Sequence, residues 1–423
     1  MTTSRRSFLQ LALAGGASVP TLHLMSGIAS AASSSDPIVI GHQADLTGGI
    51  SSWGYWLDKS AKAAVDHINA NGGIAGREIK YVVEDSESNP PSGARKFRSL
   101  VQRSKADFVI GAVQSGVNLA TCPIAKELKT LYIPNGMAEE MTGSAGNRYV
   151  FRTGSDTYSQ AAAGAKWAAE QLGKTWTFVF ADYGWGWSHF NEHKKVLESI
   201  GATVNPPIAV PLDAKDMLPY LAKIPDNTEV LYSLFFGSQS VAFYTQANSM
   251  GVNKRTKLYS VVCGHEAISP ADLGGASEGA HLLEYLPRQL KHQDTEYNRK
   301  IRELMKVDPV NGQEEGSSRI IAGSHYWATW EAVFFIKEAV EKSGWKTKKD
   351  TPEVILALEG MSVEESLAHP QGAKTIRAQD HKAIIDFKMS KVQDGKIEML
   401  HAIPAKDIVQ FFPPRVDFTQ EKV

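Results

Sequence analysis

From Pro37 onward, apolar residues along the chain alternate between two rhythms. "IVIGHQAD" is a short apolar run that ends in the polar loop "LTGGISSWG", and it reads as a strand. Leu57, Ala61, Ala64, Val65 and Ile68 then recur at spacings of three and four, which predicts a helix with one apolar face. "NGGIAGR" turns the chain, because its glycines tolerate positive φ, and "EIKYVVEDS" is the next strand. "SGARKFRSLVQRSKA" is amphipathic through Ala94, Phe97, Leu100 and Val101. Strand "DFVIGAV", helix "LATCPIAKELK" and strand "TLYIPNG" follow.

The rhythm begins again at "YVFRTG", with a helix around "SQAAAGAKWAAEQLG", strand "WTFVFAD" and a helix containing "SHFNEH". Strand "ATVNPPIAV", helix "KDMLPYLAKI", strand "EVLYSLFFG", helix "SVAFYTQANSMG" and strand "KLYSVVCG" complete it. Alternation of this kind predicts an α/β fold with doubly wound parallel sheets, and its two runs predict two lobes. Strong helices return at "TEYNRKIRELMK" and "AGSHYWATWEAVFFIKEAVEKSG". A late hairpin, "HKAIIDFKMSKVQDGKIEML", turns at Asp394-Gly395. This late material is too little for a third domain and is expected to complete the first two.

Composition narrows the class. Of 423 residues, 43% are hydrophobic and 22% charged, as in a globular protein of two domains. Lys plus Arg (45) nearly balances Asp plus Glu (46), so no basic field recommends a nucleic-acid partner. The first 31 residues differ: Arg5 and Arg6 precede a mildly apolar run, and Ala29-Ser30-Ala31 supplies a small-residue cleavage site. That order predicts an export signal, with the paired arginines of the twin-arginine type. Its removal would take the formal net charge from −1 to −3. Cys122 and Cys263 are about 140 residues apart in sequence and are expected to be buried, inert thiols.

In doubly wound sheets, ligands bind beyond the carboxyl ends of the strands. The loops expected there, 44–56, 111–118, 133–140, 181–188, 234–240 and 262–267, carry Ser, Asn, Gln and Gly beside aromatic residues. The candidate ligand-binding residues are Trp53, Gln114, Ser115, Gly116, Asn135, Gly136, Met137, Tyr158, Tyr183, Trp185, Phe236 and His265. Ser115 and Gly116 are expected just before a helix, where a hydroxyl and free backbone N–H groups suit a carboxylate. A polar cluster rimmed by rings describes a small-molecule pocket better than a catalytic centre. Enzymatic motifs are weak: there is no G-x-S-x-G elbow or Walker loop, and "GWGWSH" has His where a dinucleotide loop has Gly. His189, Glu192 and His193 form H-x-x-E-H, the order of an inverted zinc peptidase, but with no third ligand announced. A solvated or half-buried pair of histidines is the expected reading, with no metal, cofactor or catalysis.

The stretch from "IVIGHQADLTGGISSWG" through "INANGGIAGREIKYVVEDS" resembles the opening of type I periplasmic solute-binding proteins of the branched-chain amino-acid (Leu/Ile/Val-binding) family. "DFVIGAVQSGVNLA" resembles that family's strand and loop that offer a serine to the ligand carboxylate, a role Ser115 fits. "YVFRTG" and "SEGAHLLEYLP" look like crossovers between lobes, and "DYGWG" like a segment that turns an aromatic ring into the cleft. The resemblance implies lobe I at 37–154 plus 284–382 and lobe II at 155–283 plus 383–423, joined by a multi-strand hinge. It implies a monomeric periplasmic protein that captures a small solute for the membrane permease of an ABC importer. A ligand-sensing module of the same fold is the alternative. Met137 stands near the position where amino-acid binders have Thr, and Cys263-Gly264-His265-Glu266 where they offer a glutamate to the α-ammonium. A neutral His265 could donate a hydrogen bond there, whereas Glu266 needs a shift of register. These departures, and the surplus of rings, make an aromatic or apolar carboxylate a rival to an aliphatic amino acid, with an amide or urea as a third class.

Overall fold

A computed structural model describes residues 36–423 apart from Ser324; the export signal expected at 1–31 lies outside them. The first run of strands is β1 (Ile38–Ala44), β2 (Ile79–Asp85), β3 (Phe108–Gly111) and β4 (Leu131–Ile133). They form an all-parallel sheet in the order β2-β1-β3-β4, with Ile38 beside Ile79 and Ile40 beside Phe108. Between them lie α1 (Ser51–Ala70), α2 (Pro90–Gln102) and α3 (Ser115–Glu127). On α1 the predicted face is buried, and Trp53 and Trp56 extend it. The turn after α1 needs its glycines: Gly73 has φ +74°, and a Cβ there would stand 2.0 Å from the Arg77 carbonyl oxygen.

The second run supplies β5 (Thr175–Ala181), β6 (Thr203–Val204), β7 (Ile208–Val210), β8 (Val230–Leu234), β9 (Lys257–Val261) and β10 (His281–Glu284). The predicted strand "ATVNPPIAV" is thus two short ones, because Pro206 and Pro207 have no N–H to give a ladder. A three-stranded antiparallel sheet follows, made of β11 (Ser362–Val363), β12 (Lys374–Ile376) and β13 (Ala383–Ile384). The late hairpin is β14 (Phe387–Gln393) and β15 (Lys396–Ile403). It joins the second run in an eight-stranded sheet, β15-β14-β10-β9-β8-β5-β6, with β7 beside β5. Helices α4 (Thr157–Gln171) and α5 (Gly184–Ser199) pack together on it. The long helix Tyr326–Ser343 packs instead on α1, with the four-stranded sheet. The predicted helix "KDMLPYLAKI" shrinks to Leu218–Leu221, with Pro219 in its first turn.

The chain therefore passes between the two sheets three times, after β4, after β10 and before β14. These passages are tied to one another. The Arg152 N–H donates to the His381 carbonyl at 3.0 Å, and the Ala383 N–H donates to Arg152 at 3.1 Å. The Gln371 side chain donates to the carbonyls of Tyr285 (3.2 Å) and Asp386 (3.0 Å). Beside them Lys382, only 4% exposed, places Nζ 2.7 Å from Asp156, 3.5 Å from Glu139 and 4.0 Å from Asp380. Burial alone would raise the Asp156 carboxyl, but Lys382 and Arg152 overcome it and bring it down to about 2. The C-terminal segment lies across the same region: Arg415 stacks 3.6 Å over the Tyr158 ring and pairs with Glu192.

Candidate ligand site

Asp45, at the carboxyl end of β1, organises the loops of the four-stranded sheet. Its buried carboxylate accepts from the N–H of Val113 (2.6 Å) and Gln114 (3.0 Å) and from the Ser86 hydroxyl. One acid thus fastens the ends of β1, β2 and β3. Burial raises its carboxyl, and these donors only partly offset the cost. The sequence reading passed over Asp45, although an acid closing an apolar strand was the available signal.

The loop after β3 departs from expectation in one respect. Helix α3 begins at Ser115 itself, and Gln114 is the N-cap, its side-chain oxygen accepting from the Val117 N–H at 2.7 Å. Ser115 is 1% exposed, and its hydroxyl accepts from the Ala138 N–H at 3.4 Å. Gly116 is held close, since a Cβ there would stand 2.9 Å from the Gln114 side-chain oxygen. Asn135 donates to Thr329 at 2.7 Å while its own oxygen has no partner among the described residues. Gly136 accepts from Arg152, and a Cβ there would stand 2.0 Å from the Asn118 side-chain oxygen. The Met137 sulfur accepts from Gln160 at 3.2 Å. Asn135, Gly136, Met137, Arg152 and His325 line a cavity of about 10 Å³, room for one water.

Four of the predicted aromatic residues meet across the gap between the sheets. Trp53 comes from α1, and Tyr183, Trp185 and Phe236 from the carboxyl ends of β5 and β8. Ring centroids are 5.2 Å apart for Trp53–Phe236, 5.8 Å for Tyr183–Phe236, 5.9 Å for Tyr183–Trp185 and 6.4 Å for Trp185–Phe236. Helix α5 starts earlier than expected, so Trp185 sits in its first turn. Gly186 permits this, because a Cβ there would meet the Ala181 carbonyl oxygen at 2.4 Å. Trp53 also stacks on His325, with centroids 5.2 Å apart and an interplanar angle of 29°. The indole N–H of Trp53 is buried and has no acceptor among the described residues. The indole N–H groups of Trp327 and Trp345 are in the same state, and that of Trp53 differs in standing among the rings at the gap between the sheets.

Two candidates stand apart from these rings. Tyr158 lies under Arg415 and Phe412. His265 packs on Tyr244, 4.8 Å away, and burial lowers it to about 3, so it is neutral. The H-x-x-E-H residues are not solvated, and the expectation of an exposed or half-exposed pair is corrected: His189 and His193 are both 0% exposed. They face inward from α5 and share the Tyr232 hydroxyl, at 3.2 and 3.3 Å. Burial holds His189 well below its usual value and His193 at about 4. Glu192 points the other way, to Arg415 and Lys195, so the three do not converge. A wider surface depression of about 710 Å³, lined in part by Glu229, Lys257, His281 and Lys391, lies at the amino ends of the strands, away from the rings.

Comparison with known proteins agrees with this architecture. Residues 37–396 match the family model described as periplasmic binding protein. The leucine-, isoleucine-, valine-, threonine- and alanine-binding protein of Pseudomonas aeruginosa is 25% identical over 79% of this chain and 86% of its own. Among solved structures, a solute-binding protein of an R. palustris ABC transporter in complex with benzoate superposes with TM-score 0.73. It is 21% identical, over 87% of this chain and 96% of that one. Its counterpart from Rhodopseudomonas palustris HaA2, in complex with p-hydroxybenzoic acid, gives 0.76 at 19% identity, over 88% and 98%. The two sheets, the three passages between them and the match over nearly all the described residues lead to one conclusion: the chain belongs to the periplasmic binding protein family, with the type I fold.

Proposed function

We propose that this protein is the exported solute-binding component of an ABC importer, and that its solute is a small acid with an aromatic or apolar body. The ring cluster of Trp53, Tyr183, Trp185 and Phe236 is the observation that carries this reading. Flat faces drawn from both sides of the cleft suit a planar apolar solute. The Trp53 N–H, without an acceptor among the described residues, and the Ser115 hydroxyl suit its carboxylate. The R. palustris proteins bound to benzoate and p-hydroxybenzoate share the fold, whereas the P. aeruginosa relative is named for aliphatic amino acids. The rings favour the aromatic class. The rings lie against one another, so a solute enters when the halves swing apart about the three passages. Its capture favours the closed population, which a permease then distinguishes from the open one. In this reading the protein catalyses nothing, acts as a monomer, and reaches the periplasm by the twin-arginine route. Its lobes are 37–154 plus 284–382 and 155–283 plus 383–423.

Thermal-shift screening tests the solute class, because ligand at a hundredfold excess over Kd adds about 2.7 kcal/mol of apparent stability. Benzoates and related aromatic acids are expected to raise the melting temperature. A rise with branched-chain amino acids, amides or urea and none with aromatic acids overturns the assignment. Ser115→Ala is expected to weaken the best acid by about 1.5–3 kcal/mol, the size of a hydrogen bond to a charged group. Unchanged affinity by calorimetry removes Ser115 from the site.

A further inference from the structure

A second set of side chains meets at the same junction, and it owes nothing to the H-x-x-E-H run. Cys263 and Glu266 lie on the loop that follows β9, and His325 is the N-cap of the helix Tyr326–Ser343. One ligating atom from each lies within 4.8 Å of the other two, and all three residues are buried. The His325 Nδ1 and a Glu266 carboxylate oxygen are 3.4 Å apart. Tetrahedral bonds of about 2.0–2.3 Å put ligand atoms roughly 3.3–3.7 Å from one another, so one edge is already at bonding geometry. Side-chain movement of about an ångström brings the remaining atoms to it.

We propose that Cys263, Glu266 and His325 form a three-ligand site for a borderline divalent cation of the zinc type. A sulfur and an imidazole nitrogen select against magnesium and calcium, which take oxygen ligands throughout. A thiolate and a carboxylate balance the two charges of the cation, while the buried guanidinium of Arg288 has Glu284 as well as Glu266 to offset it. Arg288 also fixes the loop by donating to the carbonyls of His265 and, at 3.0 Å, Ile268. Trp53, stacked on His325, restrains the plane of that imidazole. Two ligands come from the eight-stranded side and one from the helix packed on α1, so a bound cation links the two sides of the cleft. Three protein ligands leave a fourth position for water or a solute atom. The inference does not depend on which solute the rings receive. The sequence hid the set because C-x-x-E is a weak motif and its histidine lies 59 residues further on.

Cobalt(II) is the probe, since a thiolate ligand gives it an intense near-ultraviolet charge-transfer band. Chelator-treated wild-type protein is expected to bind one Co²⁺ per chain with that band and tetrahedral visible bands, and Zn²⁺ is expected to displace it. Cys263→Ser removes the charge-transfer band, whereas Cys122→Ser retains it. His325→Gln weakens Co²⁺ binding at least about tenfold but keeps the band at saturation, a readout that does not require Cys263→Ser to fold. The proposal is overturned if folded wild-type protein shows no band at stoichiometric Co²⁺. It is equally overturned if His325→Gln binds as tightly as wild type, or if the band survives Cys263→Ser.

Discussion

Lys382→Met is expected to lower stability at neutral pH by about 3–5 kcal/mol, the usual cost of removing one partner from a buried ion pair. Methionine keeps the bulk of the side chain, so the loss is chiefly electrostatic. Lys382 faces Asp156 at 2.7 Å, Glu139 at 3.5 Å and Asp380 at 4.0 Å, and all three carboxylates are buried. Without the ammonium they face one another with only Arg152, Arg377 and Arg415 beside them, where burial limits screening by water. The pH dependence gives the sign. Asp156 titrates at about 2 in the folded protein and near 3.9 when unfolded, so its contribution is present above about pH 4. That contribution disappears as the pH falls from about 4 to 2. The variant has less of it to lose, so the gap between wild type and Lys382→Met should narrow over this window. Chemical denaturation at pH 7 and at steps down to about pH 2 measures both effects. A gap that stays constant with pH would mean the cost is packing rather than charge. Because Lys382 stands where the Arg152 passage meets residues 381–383, the variant is also expected to loosen the connection between the sheets.

The architecture was legible because parallel strands buried on both faces read as short apolar runs, and helices of one apolar face read as three-four spacing. Those local patterns located β1 to β4 and the helices between them, and the glycines of the turn after α1 mark backbone that a Cβ would block. Pro206-Pro207 and Pro219 broke elements whose apolar content alone argued for continuity. Ring positions at strand ends were equally readable, since the carboxyl ends of strands in such sheets converge. What the sequence withheld was direction. His189 and His193 share a helical face with Phe190 nearby, and periodicity cannot say whether that face looks at solvent or at Tyr232. Tyr158 and His265 sit one step from the cleft in sequence, but neighbouring elements, Arg415 and Tyr244, take up their rings. Asp45 and His325 work through contacts at long sequence range, which no window along the chain contains.

Trp53→Phe offers the sharper test of the cleft, because the site's demands and the fold's demands pull in opposite directions there. The indole N–H is buried without an acceptor among the described residues, a state that costs on the order of 1–3 kcal/mol. Replacing it by phenyl removes that cost and keeps a ring beside Phe236 and His325, at the expense of a cavity the size of the lost pyrrole atoms. The two effects are of similar size, so the solute-free variant should melt near the wild-type temperature. If the N–H is there to meet a solute carboxylate, the same change removes a hydrogen bond to a charged group. Affinity for the best aromatic acid should then fall by about 1.5–3 kcal/mol, roughly ten- to 150-fold. Trp53→Ala, which also removes the ring face, should fall further. Calorimetric titration beside a solute-free melt separates the two terms. A variant that melts lower and binds as before would make Trp53 a packing residue and move the carboxylate elsewhere. A variant that melts as wild type but binds weakly would put the solute against that indole.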